Sequence, residues 1–382
     1  MTLAPAPRRA ANEAVRATVA RLIAEGREIG VQVAAYLDGE LVVDVSAGVA
    51  DPASGRPVDP ATLFHVFSVT KGVLVAALHL QVERGRIALD DPVSRHWPDF
   101  GANGKAETSV RQVLQHRSGL PQMPPDVTPE LMCDWEWMVG RLAAMAPVAP
   151  PGRRILYQSM THGWLIGEII RRSDSARRTI GRFVREEIAE PLGIPDLWIG
   201  LPDEEAPRLA RLTNAMPARP QSELYARSVP PQVDMVPAVF ERPDVRAAEI
   251  AGVGGIFTAR SSARFWAMLA QGGALDGIRL LSAERVAGFN RPLGTAADPE
   301  IAAFGGQIPS IDGFWLGGSA PAVAAAKHPW AICHPGAGNS MGWADPATRL
   351  GAAICHNRMS DPGGEDATLE IADAIRNGLG LD

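Results

Sequence analysis

No stretch of this chain approaches the roughly 18 consecutive apolar residues that a membrane-spanning helix needs. From Met1 to Arg21 there are arginines and alanines, but no apolar run followed by a cleavage site. Both absences point to a cytoplasmic protein with no membrane partner. Cysteine is scarce: Cys133, Cys333 and Cys355 cannot build a disulfide framework, which agrees with a reducing compartment. Positive charge is not in surplus, and a net charge of −6 argues against nucleic acid or an acidic lipid surface as partner. Tyrosine is scarce too, with three in 382 residues, so each is worth inspecting. What remains is an ordinary globular composition, 46% hydrophobic and 21% charged, long enough to bury a large core in one elaborate domain or two. Small-molecule chemistry is the default expectation.

The most informative stretch is Phe67-Ser68-Val69-Thr70-Lys71. From Val69 to Arg84 the apolar residues are dense enough for a helix covered on most sides, and Gly85 is a natural stop. Ser68 is then expected at the N-cap or in the first turn. Ser68 and Lys71 are three apart, so on a helix their side chains share a face. A serine hydroxyl becomes a useful nucleophile when an adjacent base removes its proton. A lysine can be that base only when neutral, and partial burial at the positive end of a helix disfavours its ammonium form. Alone, the pattern also describes a serine cap with a solvated lysine one turn later.

Taken in order, residues 8 to 25 read as an amphipathic helix with Val15, Val19, Leu22 and Ile23 on one side. Val31 to Tyr36 and Glu40 to Val45 flank Asp38-Gly39, a strong hairpin signal. Asp51 to Pro60 is a loop, and Leu63 to Phe67 leads into the Ser68 helix. Between Gly85 and about Leu197 the pattern turns to helices separated by proline-rich joints: Val110 to His116, a tryptophan-bearing Leu131 to Ala146, and Thr161 to Arg172. After a weakly periodic, proline-rich stretch to about Ala248, Gly252 to Phe257 reads as a strand and Ser261 to Gln271 as a helix. Trp330 to His334 and Arg349 to His356 read as strands joined through Asp345-Pro346, and Ala367 to Leu379 as a closing helix. Sheet-forming segments at both ends of a helical middle suggest an α+β fold: a sheet domain of residues 1–85 and 198–382, interrupted by a mainly helical subdomain at 86–197.

Two further elements bear on Ser68. Tyr157-Gln158-Ser159 stands at the entry to a helix, where a phenol could relay the nucleophile's proton. His334-Pro335-Gly336-Ala337-Gly338 ends a strand, and a glycine there lets the backbone approach a ligand. Together with Leu89-Asp90-Asp91-Pro92-Val93, Val113 to Pro121, Pro151-Gly152 and Gly254 to Thr258, these motifs resemble the serine β-lactamase and penicillin-binding protein superfamily. The likeness is closest to its class C β-lactamase branch and the family VIII carboxylesterases. It implies a mostly antiparallel sheet flanked by N- and C-terminal helices, an inserted all-α subdomain, and a site between them. It also implies Ser68 as acylated nucleophile, Lys71 and Tyr157 as base and proton relay, and the backbone N–H groups of Ser68 and Ala337 as oxyanion hole. Ser159, His334 and Gly336 would meet the substrate, and no metal or cofactor is called for.

This chain departs from the class C pattern twice. Ser159 stands where those enzymes carry an asparagine amide, and His334 where they carry a lysine whose charge holds the β-lactam carboxylate. A small neutral ester is therefore the expected substrate. An acyltransferase, a D-peptide or amide hydrolase, a weak β-lactam hydrolase and a catalytically silent ligand-binding relative are the alternatives.

A rival serine sits in Gly338-Asn339-Ser340-Met341-Gly342, which fits the nucleophile elbow of α/β hydrolases. That motif needs a helix after it, whereas Trp343-Ala344-Asp345-Pro346 and then a strand are expected here. The tetrad Ala-Ile-Cys-His occurs at 331 to 334 and 353 to 356, but strand alternation sends Cys and His to opposite faces. Two paired strands with buried cysteines are the expectation, not a zinc site.

Overall fold

The computed structural model describes residues 5–216, 222–295, 297–302, 308–317, 328–360 and 367–381. Its largest feature starts at the hairpin. Asp38 and Gly39 both take positive φ, 53° and 83°, as a tight two-residue turn between twisted strands requires. They join Gly30–Leu37 to Glu40–Asp51, with one irregularity in register between Ala35 and Tyr36. The other edge of Gly30–Leu37 pairs with Leu350–His356, from Val31 opposite His356 to Leu37 opposite Leu350. The sheet extends to eight antiparallel strands in the order Ile308–Pro309, Trp315–Leu316, Ile332–Pro335, Met341–Asp345, Leu350–His356, Gly30–Leu37, Glu40–Asp51, Arg56–Pro57.

One strand of this sheet departs from the sequence pattern. Met341–Asp345 lies between Ile332–Pro335 and Leu350–His356 and pairs with both. Cys333 and Cys355 are buried as expected, but their strands are not paired to each other. Met341–Asp345 is buried along its whole length, so it shows no in-out alternation, and its glycine and aspartate have low strand propensity.

Helices cover both faces. On one side Ala11, Val15, Val19 and Leu22 of Pro5–Ala24 and Ile371 and Ile375 of Ala367–Leu379 pack on Val31, Val33, Cys333 and Trp343. Each buried valine, leucine or isoleucine among them contributes about 1.5–3 kcal/mol. On the other side lies Ala259–Ala270, whose first turn is capped by Thr258 Oγ1 accepting the Ser261 N–H at 3.2 Å.

A smaller antiparallel sheet, Phe64–Phe67 with Gly255–Phe257 and then Leu197–Ile199, delivers the chain to the helix Thr70–Glu83. That helix is buried from Thr70 to Gln81. Its cap is Val69, so Ser68 sits one residue outside the helix instead of at the N-cap or in the first turn. The cause is Phe67, which ends its strand in the left-handed region at φ 45°. That strain, of order 1–3 kcal/mol, is held by packing of Phe67 on Phe240 and His65. It is also held by Thr70 Oγ1, which donates to the Phe67 carbonyl and accepts the Gly255 N–H.

Between Gly85 and Leu197 the segments are helical, with one break not foreseen. Leu131 to Ala146 splits into Pro129–Cys133 and Trp135–Ala144 at Asp134, whose carboxylate caps the second helix through the Trp137 N–H at 3.0 Å. Aspartate at an N-cap outcompetes helix continuation. Val110–Leu114 starts with a reciprocal box between Ser109 and Gln112 and ends two residues before His116, which has φ 57°. Thr161 precedes the helix His162–Ser173. No helix among the described residues is long and apolar enough to cross a membrane.

Candidate active site

Ser68 lies at the strand-to-helix turn and is 5% exposed. Its Oγ is 2.8 Å from Lys71 Nζ, which also donates to the carbonyls of Ser159 at 2.7 Å and Gly252 at 2.9 Å. Gly252 can reach the amine because two glycines let the backbones close: a Cβ on Gly163 would stand 2.0 Å from Gly252 N. The expected strand Gly252 to Phe257 begins only at Gly255, and the residues before it form this turn. Burial drives the Lys71 pKa well below that of an ordinary lysine, with no carboxylate among the described residues acting against it. A neutral amine has two N–H bonds and one lone pair. With both N–H groups on carbonyls, the lone pair is left facing the Ser68 hydroxyl.

Tyr157, which lies in no helix or strand, has its Oη 3.3 Å from Ser68 Oγ, and Lys71 Nζ lies 5.2 Å from the centre of its ring. Burial pushes the phenol's pKa up. Tyr157 is therefore a protonated donor to Ser68, and Lys71 is the group able to take a proton. Ser159 meets Lys71 through its backbone carbonyl.

The third motif reaches the site because Gly336 has no side chain: a Cβ there would lie 2.2 Å from the Val66 carbonyl, two residues before Ser68. This places Ala337 beside the Ser68 turn. Neither the Ser68 nor the Ala337 N–H has a backbone acceptor among the described residues, so both are available to a ligand oxygen. His334 is 2% exposed. Its Nδ1 is 2.8 Å from the Pro335 carbonyl, which can only accept, so Nδ1 carries the proton and Nε2 is a bare acceptor without a partner among the described residues. Burial and then the proximity of Lys71 lower its pKa to about 3, keeping the ring neutral.

Ser340 is followed by the strand Met341–Asp345, not a helix, so it lacks the elbow geometry. Cys333 is buried and its thiol pKa pushed up to about 12 by burial.

Three residues not singled out by the sequence stand around the site. Trp315 meets Tyr157 edge-on, with ring centres 5.5 Å apart, and lies 5.8 Å from His334. His116 lies 4.8 Å from Tyr157 and 4.5 Å from His162. Burial holds both imidazoles well below the usual histidine pKa. For His116 the signal available was its place in the motif Val113 to Pro121; for Trp315 and His162 none was.

A family model described as Beta-lactamase matches residues 15–376. The protein "Esterase/beta-lactamase LipL" of Mycobacterium tuberculosis is 34% identical over 351 residues, covering 87% of this chain and 78% of that one. Among solved structures, a family VIII carboxylesterase superposes with a TM-score of 0.88 at 29% identity, and a penicillin-binding protein homologue from Caulobacter crescentus with 0.84 at 33%; each match covers 99% of both chains.

Proposed function

The chain belongs to the beta-lactamase family, and from its site we propose that it is a serine hydrolase cleaving small carboxylic esters through an acyl-enzyme on Ser68. The observation that carries this reading is the enclosure of Lys71: a buried amine with no carboxylate, two carbonyls on its N–H bonds, and the Ser68 hydroxyl at 2.8 Å. The names of LipL and of the carboxylesterase structure support the ester as substrate class.

In the first half-reaction Lys71 takes the Ser68 proton as Oγ attacks the ester carbonyl. The negative charge that develops on the carbonyl oxygen is met by the Ser68 and Ala337 N–H groups, each worth about 3 kcal/mol in such a role. Tyr157, bonded to Ser68 Oγ, passes a proton to the departing alkoxide and is restored from Lys71. Water then attacks the acyl-serine by the reverse route. Ser68 comes from the sheet part, residues 1–85 and 198–382, and Tyr157 from the helical part, residues 86–197, so the substrate enters between them. Ser159 and Gly336 border it through backbone. His334 is neutral and offers an anionic substrate no fixed cation, which favours neutral esters over β-lactams. The LipL name includes β-lactamase, so a cephalosporin is the proper competitor.

The direct test is mass spectrometry of the protein quenched during turnover of a p-nitrophenyl ester. An acyl adduct on the peptide carrying Ser68 is the expected result; an adduct on Ser340, or none with turnover continuing, would end this reading.

A further inference from the structure

Tyr157 belongs to a stretch, Met145 to Thr161, with no helix or strand. The Oη to Ser68 Oγ distance of 3.3 Å leaves little room for drift, since O–H···O bonds weaken quickly past about 3 Å. Lys71 and Lys105 hold the carbonyls of Ser159 and Met145, and one turn, His116 to Gly119, holds much of the stretch between them. The Val148 N–H donates to the Gly119 carbonyl at 2.9 Å, Gly152 to Arg117 at 2.8 Å, and Leu156 to His116 at 2.8 Å. The Gln158 N–H donates to His116 Nδ1 at 3.2 Å and its Nε2 to Ser118 Oγ at 2.9 Å.

Two of these bonds meet on one residue. His116 binds Leu156 with its backbone carbonyl and Gln158 with its ring, so it straddles Tyr157, and its ring lies against the phenol. Because Nδ1 accepts a backbone N–H, the imidazole proton sits on Nε2. His116 adopts φ 57° and is 1% exposed, a conformation that asparagine and glycine tolerate and most other residues resist.

We propose that His116 is a positioning residue for the reaction: in its Nε2–H tautomer it accepts the Gln158 N–H while its carbonyl accepts that of Leu156, and so holds the Tyr157 phenol on Ser68. This rests on the reading of Ser68 and Tyr157 given above. A histidine that merely filled the core would owe nothing to Tyr157.

The experiment is a double-mutant cycle on p-nitrophenyl butyrate turnover, with melting temperatures recorded for every variant. His116→Gly keeps the left-handed backbone and removes the acceptor; it should lower kcat on the order of a hundredfold, the scale of a roughly 1 Å misplacement, with little change in KM. His116→Asn presents an oxygen at the position of Nδ1 and should recover most of the loss. In a Tyr157→Phe background, His116→Gly should cost less than about threefold more, because residues acting through one group are not additive. Wild-type turnover in His116→Gly, no recovery in His116→Asn, or an undiminished His116→Gly loss in the Tyr157→Phe background would each overturn the proposal while leaving Ser68 as nucleophile. If Tyr157→Phe itself keeps wild-type kcat, the relay reading fails and the proposal with it.

Discussion

Lys71 and Lys105 are both buried lysines, 1% and 0% exposed, and burial lowers the pKa of each. Their surroundings differ in one partner. Lys105 Nζ donates to three carbonyls, Ala102 at 2.8 Å, Ala143 at 3.0 Å and Met145 at 2.5 Å, closing the end of the helix Trp135–Ala144 above the Phe100 ring. Three acceptors suit three ammonium hydrogens, and none of them has a proton to give. Lys71 has two carbonyls and a hydroxyl. Burial alone therefore does not make a base; a third partner that can surrender a proton does.

That contrast breaks most visibly at the third partner. Ser68→Ala should reduce ester turnover by on the order of 10⁴-fold or more, whereas Ser340→Ala should leave most of it; a p-nitrophenyl ester assay decides between them. Next, Lys71→Arg should be nearly as damaging as Lys71→Ala, each on the order of 10³-fold, since arginine does not deprotonate in a protein. Lys105→Met should instead keep kcat within about twofold and lower unfolding stability by a few kcal/mol, because it orphans buried carbonyls. Urea melts and steady-state kinetics on the two variants would show the effects exchanged if the assignment were wrong.

The comparison also has a pH signature. In the proposed mechanism Lys71 must be neutral to act, so activity is expected to be lost as pH falls through its lowered pKa and present above it. In the window between that pKa and the ordinary lysine value of about 10.4 the unfolded chain binds the extra proton. Stability from this group therefore rises with pH there. The acid limb of kcat/KM should lie well below the ordinary lysine value; a limb centred close to that value would contradict a neutral Lys71. The smallest effect is expected at the third motif. His334→Lys restores a donor and a charge, and should raise the cephalosporin-to-ester ratio of kcat/KM by about tenfold. A wild-type enzyme that hydrolyses a cephalosporin as well as its best short-chain ester would remove the basis for that change.

The parts of the fold that were legible in the sequence are those set by local chemistry. Asp38-Gly39 marks its own turn, Val15, Val19 and Leu22 mark a helix face, and Ser68-x-x-Lys71 announces a shared face one turn apart. What was not legible depends on residues far away. Met341–Asp345 is a strand because it is enclosed by two others, and Ser68 falls outside its helix because Phe67 is held left-handed by Phe240. The arrangement around Tyr157 depends on bonds from a turn some forty residues earlier in the chain, which no periodicity reports. The motifs pointed to Ser68, Lys71, Tyr157 and His334 and carried His116 without a role; the two carbonyls on Lys71 and the rings of His162 and Trp315 came only from the structure.

The central strand Gly30–Leu37 has Glu40–Asp51 on one edge and Leu350–His356 on the other. During synthesis the first edge can zip at once, but the second stays open until more than three hundred further residues have been made. The Ser68 turn is translated early, while Gly336, which lies against Val66, comes late. Such sequence-distant pairing is slow because loop closure precedes any contact energy. A chain stopped before Leu350 would expose the unpaired edge of an apolar strand, Val31 to Leu37, to any neighbouring nascent chain. The hydrolytic centre is thus among the last parts of the molecule to exist, and a partly synthesised enzyme would be an aggregation hazard before it was a catalyst.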